Sequence, residues 1–250
     1  MEIGMIGFGN FGKFFAKTLA TVFEVSVWDC INFNNEATKM NVKWASLEKV
    51  ASKEVVILAI PLAAMESTLS KLVYNINSDV LIMDVCSVKL EPIRLIRQYL
   101  PKAKLLATHP MFGPQGTKNG WGGQQLVVCP VEAPSKKSEL MLRFFCDQQL
   151  RLIEMTAEQH DKEIAIVLGL TYFIGQGLKE YGIENLKLTT TTFEHLRKIT
   201  DIVGNESWEL FKTIQNGNPF VAEIRRQFME ALQNIEKRLK STKNNMNGLI

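Results

Sequence analysis

Apolar and polar positions follow two different rhythms along this chain. Through residue 155, short apolar runs at residues 3–6, 24–28, 55–60, 80–84, 105–108, 125–129 and 150–155 read as strands. Most are apolar without interruption, as strands covered on both faces are. Stretches of helical periodicity lie between them. In one, residues 61–72, Pro61 suits a first helical turn, where its missing N–H removes no bond. The alternation predicts an α/β domain with a doubly wound, mostly parallel sheet.

The rhythm changes at Met155. Thr156-Ala-Glu-Gln159 has the form of a capping box, and a long apolar-periodic stretch follows it through Leu178. Helical spacing then continues to Lys240, with breaks near Tyr181 and Gly182, at Gly204 and Asn205, and between Asn216 and Pro219. The expected organisation is therefore residues 1–155 as the α/β half and residues 156–250 as an all-helical half. The polar tail from Lys240 is expected to fray.

Composition narrows the functional classes. The chain has 250 residues, 46% hydrophobic and 22% charged, which suits a soluble globular protein with a substantial core. No apolar run approaches the ~18 residues of a membrane span, and the first residues lack the pattern of a signal peptide. A net charge of +3 is too mild to suggest nucleic-acid binding but leaves a small anionic substrate open. Cys30, Cys86, Cys129 and Cys146 form no CxxC pair. That argues against a zinc site or a disulfide framework and for a reducing cytoplasm.

Gly7-Phe8-Gly9-Asn10-Phe11-Gly12 follows the first strand and opens a helix. In such a loop the first glycine makes the turn and the second lets backbone approach a pyrophosphate. The third allows close helix packing, and the helix N-terminus offers amides to phosphate. A GxGxxG alone could be a glycine-rich turn, but here Asp29 closes the second strand at the distance expected of a ribose-binding carboxylate. A carboxylate there repels a 2′-phosphate, and the next five residues carry no Arg or Lys, so NAD is favoured over NADP. The loop, Asp29 and Pro61 make up the predicted cofactor contacts.

In a doubly wound sheet, ligands lie beyond the carboxyl ends of the strands. Two such ends are unusually polar: Asp84-Val-Cys-Ser87-Val-Lys89 and Thr108-His109-Pro-Met-Phe-Gly-Pro114. Oxidising an alcohol needs a base for the hydroxyl proton, and neutral histidine suits that near pH 7. His109 is the candidate because it follows a buried strand. Gln115 and Trp121, in the loop that follows, are candidates to line the pocket, and the glycine-rich stretch 116–123 suggests a loop that moves.

These motifs together resemble the prephenate/arogenate dehydrogenase family of tyrosine biosynthesis. The wording H-P-M-F-G-P is closest to its arogenate-dehydrogenase branch. Gly204-Asn-Glu206-Ser-Trp-Glu-Leu-Phe211 resembles that branch's N-x-x-x-D-S-F-D-L-Y, and the helix start at residues 157–161 is similar to the family's E-H-D. The resemblance implies a Rossmann domain followed by a helical domain that forms a homodimer. It implies His109 as the catalytic base, Ser87 as its hydrogen-bonding partner, and Lys89 as a substrate contact. The implied reaction passes hydride from C4 of the substrate to the nicotinamide while carbon dioxide leaves, and it needs no metal.

Two departures bear on substrate. Many bacterial members hold a substrate carboxylate with an arginine in a T-R-I-A-like segment, whereas Thr200-Asp-Ile-Val203 has none. Lys89, Arg197, Arg225 and Arg226 are the possible substitutes. Glu206 occupies a place that is acidic in the arogenate-like branch, where a carboxylate would pair with the ammonium that arogenate has and prephenate lacks. Two other readings stand beside this one: a β-hydroxyacid dehydrogenase, and a dinucleotide-sensing protein without catalysis. His160 and His195 are assigned structural places.

Overall fold

Every side chain of the strand Val55–Leu58 is buried, and successive residues enter opposite cores. That double burial requires helices on both faces of the sheet, and the chain supplies them. The computed structural model describes residues 1–247 except 115, 116, 118, 119, 184 and 185, with side chains described as far as residue 241. It divides into two compact units, Met1–His160 and Asp161–Ile250. The division thus falls after residue 160 rather than after 155.

The first unit runs β1 (Glu2–Ile6), α1 (Asn10–Leu19), β2 (Glu24–Trp28), α2 (Asn34–Lys39), β3 (Lys43–Trp44), α3 (Leu47–Ala51) and β4 (Val55–Leu58). It continues through α4 (Leu62–Leu72), β5 (Leu81–Asp84), α5 (Leu90–Tyr99), β6 (Lys104–Pro110), β7 (Gln125–Cys129), α6 (Lys136–Asp147) and β8 (Arg151–Glu154). The sheet order is β3-β2-β1-β4-β5-β6-β7-β8. All pairings are parallel except β6 with β7, where His109 stands opposite Val127. The order reverses between β1 and β4, so the crevice for a ligand opens beyond the end of β1.

One core face gathers Met5, Phe15, Leu19, Ile57, Met83 and Phe145; the other gathers Ile6, Val56, Leu58, Met65, Ile82 and Ile96. Each such side chain contributes roughly 1.5–3 kcal/mol when fully removed from water. Pro61 caps α4 from outside rather than sitting in its first turn, with φ −59° and its carbonyl accepting from the Ala64 amide.

Helix α7 (Ala157–Ile164) starts at the expected capping box. The Thr156 amide donates to Gln159 Oε1 at 3.0 Å, and the Gln159 amide donates to Thr156 Oγ1 at 3.1 Å. In the second unit it passes through a π-helical stretch, Ala165–Leu170, into α8 (Thr171–Tyr181). A π turn leaves carbonyls without their usual donors, and Gln215 satisfies one by donating to the Gly169 oxygen at 2.7 Å. Then come α9 (Thr191–Gly204), α10 (Trp208–Gly217) and α11 (Val221–Asn247). The tail expected to fray remains helical through Asn247.

Candidate active site

The three glycines of the loop after β1 meet three different environments. Gly7 has φ +100°, and a Cβ there would stand 2.2 Å from the Ala59 carbonyl oxygen. A Cβ on Gly12 would stand 2.1 Å from the Gly7 oxygen, so only glycine lets α1 pack this close. A Cβ on Gly9 would meet nothing within 4 Å. The middle glycine therefore faces open space, where a pyrophosphate would approach the backbone. The first turn of α1 carries no acidic residue, and no side chain caps its amides. An anion fits that set of donors.

Asp29 fixes the loop. Its carboxylate accepts the Phe8 amide at 2.6 Å and the Ile31 amide at 3.0 Å, tying the end of β2 to the glycine turn. Asn10 is exposed beside Gly9, whereas Phe8 is fully buried and Phe11 stacks on Phe15 with centroids 5.3 Å apart. The two aromatics thus offer a ligand backbone atoms and give their rings to the core. A cation that the sequence reading overlooked stands nearby: Lys13 Nζ lies 3.8 Å from the Phe33 ring centroid. It comes from α1, so the residues following Asp29 gave no sign of it.

The ends of β5 and β6 are locked together by buried polar groups. Lys89 has no exposed side-chain surface and forms an ion pair with Asp84. It also donates to the Thr108 carbonyl at 2.5 Å, and Thr108 Oγ1 donates to the Asp84 carbonyl at 2.7 Å. The Cys86 amide donates to Asp84 Oδ1 at 2.9 Å. Burial pushes the Asp84 carboxyl up, while the Lys89 ammonium and the Cys86 amide pull against that shift. Burial also raises the Cys86 thiol to about 12, so it stays neutral. This corrects the expectation for Lys89: its ammonium is drawn into the fold to hold Asp84 and the strand before His109.

His109 is 4% exposed at the end of β6. Burial first, then the neighbouring His160 and Lys89, hold its pKa well below 6.5, which keeps the imidazole neutral, with one ring nitrogen unprotonated. Its Nδ1 lies 2.9 Å from Nε2 of His160, with the two rings inclined at 75°. Ser87 is half-buried, and no hydrogen bond joins it to His109. The partner of His109 is therefore His160 rather than Ser87. The sequence carried one signal for this, the likeness of Gln159-His160-Asp161 to E-H-D, but His160 stood only as structural.

The other predicted positions fall in different surroundings. Pro61 is exposed at the start of α4, beyond the end of β4 beside β1. Gln115 lies outside the described residues. Trp121 is not a pocket wall: it stacks on Phe15 at 5.0 Å and packs among Phe14, Phe112, Phe144 and Phe145. Arg197 and Arg226 form exposed ion pairs with Glu194 and Glu223, and Arg225 donates to the Gln215 side chain at 2.7 Å.

Glu206 occupies a pocket of the second unit with Tyr172, Gln176, Lys179, Trp208 and Phe211. Burial raises its carboxyl, and among the described residues no ion pair offsets that. Burial and the Glu206 charge push the Tyr172 hydroxyl up to about 12. A partly desolvated carboxylate of this kind is stabilised by an incoming cation.

Two family descriptions match the chain: "Prephenate dehydrogenase, nucleotide-binding domain" over residues 24–154, and "TYRAAT1-like, C-terminal domain" over residues 177–248. The chain is 30% identical to Arogenate dehydrogenase 2, chloroplastic, of Arabidopsis thaliana, across 96% of this chain and 70% of that protein. It is also 30% identical to Arogenate dehydrogenase 1, chloroplastic, from the same plant, but spans only 39% of its length. The prephenate dehydrogenase of A. aeolicus, solved with hydroxyphenyl propionate and NAD+, superposes with a TM-score of 0.77 at 21% identity. That match covers 96% of this chain and 91% of the other. It shows a shared fold.

Proposed function

The chain belongs to the prephenate dehydrogenase family, and on that footing we propose that it oxidises and decarboxylates arogenate or prephenate, giving tyrosine or 4-hydroxyphenylpyruvate. The observation that carries this is one sheet bearing both a glycine loop open at Gly9 and a buried, neutral His109 at a strand end. A dinucleotide sensor needs the first and has no use for the second. A β-hydroxyacid dehydrogenase would use a lysine of its second half as the catalytic group, and no comparable motif stands out.

The amides of Gly7 to Gly12 would hold the pyrophosphate, and Asp29 the adenosine ribose. Bound there, the dinucleotide supplies the acceptor for the C4 hydride, after which the ring carboxylate leaves as carbon dioxide and its electrons complete the aromatic ring. His109 takes the proton of the C4 hydroxyl on Nε2, the nitrogen that His160 leaves open. Ser87, with its hydroxyl uncommitted, steadies that hydroxyl. Lys89 acts from within, holding the strand end that carries His109. Glu206 pairs with the substrate ammonium, which favours arogenate over prephenate.

The cofactor we assign is NAD, because the Asp29 carboxylate repels a 2′-phosphate. Lys13 is the feature that favours NADP, so the preference is read from kcat/KM with each. A tenfold preference for NADP overturns the assignment. The compartment we propose is the reducing cytoplasm, as the lack of any CxxC pair in the sequence suggests; no described helix is long and apolar enough to cross a membrane. The partner on the helical unit is a second copy of the chain, supported by the exposed Met229, Leu232, Ile235 and Leu239 spaced along α11.

Product analysis tests the reaction. The protein is incubated with arogenate or prephenate and NAD, and the reduced cofactor, carbon dioxide and phenolic product are measured. Equal amounts of the three support the reading; reduced cofactor without carbon dioxide sinks it.

A further inference from the structure

The contact between His109 and His160 has consequences for the base that neither residue has alone. His160 is 1% exposed and sits in the first turn of α7, whose start is fixed by the Thr156 and Gln159 capping box. Just before it, the Met155 amide donates to the Val128 carbonyl of β7, the strand beside β6. Both rings are therefore carried by the sheet and held at 2.9 Å. When both are neutral, only one proton lies between the facing nitrogens, and the structure allows two placements. If His160 Nε2 carries it, His109 bears its own proton on Nε2 and cannot accept another. If His109 Nδ1 carries it, the Nε2 lone pair of His109 is free.

We propose that His160 is the positioning residue of the base: its Nε2 accepts the Nδ1–H of His109 and so holds the tautomer whose Nε2 can take the substrate's hydroxyl proton. Burial and Lys89 oppose charge on His109, which keeps its ring in the neutral form that this hydrogen bond requires. The charged groups around the pair are Asp84 and Lys89 on the β5 side, with Asp161 next along α7. Cys86 stays neutral there, and the only titratable group on β7 is Cys129.

This inference rests on His109 as the base, and two readouts separate the two claims. The first uses His160→Gln, whose amide oxygen accepts the Nδ1–H but cannot bind a proton. Its plateau kcat falls by at most about tenfold, whereas His160→Leu loses about a hundredfold. A purely structural His160 would be served no better by Gln than by Leu, and equal losses in the two variants overturn the proposal. The second readout needs no turnover. The chain has three histidines, and His195 is exposed on α9, so nitrogen-15 NMR resolves the buried pair. The expected spectrum shows His109 neutral and protonated on Nδ1 at neutral pH. A neutral His109 protonated on Nε2 overturns the proposal even if the enzyme proves to act on another substrate.

Discussion

Lys89 shows how one residue's burial changes its meaning. From sequence it reads as a substrate contact, because a lysine at a strand end beside a ligand crevice is well placed for an anion. Its position inside the fold, paired with Asp84 and donating to Thr108, makes it a structural charge. Removing one member of a buried ion pair leaves the other uncompensated and costs about 3–5 kcal/mol. Lys89→Met should lower the unfolding free energy by that much in denaturant titration, and adding Asp84→Leu should recover part of it. A Lys89 that only touched substrate would leave stability unchanged. Glu206 lies at the opposite extreme, partly desolvated with no described ion pair. A charge-assisted contact contributes about 1.5–3 kcal/mol, so Glu206→Gln should cut the arogenate-to-prephenate ratio of kcat/KM by roughly ten- to a hundredfold. An unmoved ratio would remove Glu206 from the substrate site. His160 was harder to read: it stands 51 positions from His109, and periodicity says nothing about which buried histidines meet.

At the scale of elements, sequence pattern carried most of the first unit. All seven expected strands are present, because continuous apolar runs mark strands buried on both faces. The two-residue edge strand β3 was too short to show a pattern. The antiparallel direction of β7 was equally hidden, since an apolar run has no polarity. The glycine loop was legible because each glycine answers a distinct need, and that gives a paired prediction. Gly12→Ala, whose Cβ would meet the Gly7 carbonyl, should destabilise the protein; the thermal midpoint records the loss. Gly9→Ala should keep the midpoint but weaken dinucleotide binding in calorimetry, because its Cβ enters the space meant for the pyrophosphate. The reverse pattern would place the ligand elsewhere.

For the whole molecule, α11 is the element that points beyond a single chain. Its 27 residues rise about 40 Å, and the exposed Met229, Leu232, Ile235 and Leu239 recur every three or four positions. Such a stripe is stable in water when a second copy covers it. Light scattering should give about twice the 28.3 kDa of the chain, and Leu232→Lys with Ile235→Lys should shift it toward the single mass. A dilution-stable, fully active monomer would count against the dimer. The central claim, that this chain oxidises its substrate with His109 as the base, is tested most directly by His109→Asn. Turnover of arogenate and prephenate with NAD is measured beside calorimetric NAD affinity in the same preparation. The account predicts kcat lower by roughly 10²–10⁴-fold with NAD affinity unchanged. Near-normal kcat at neutral pH in that variant would contradict it.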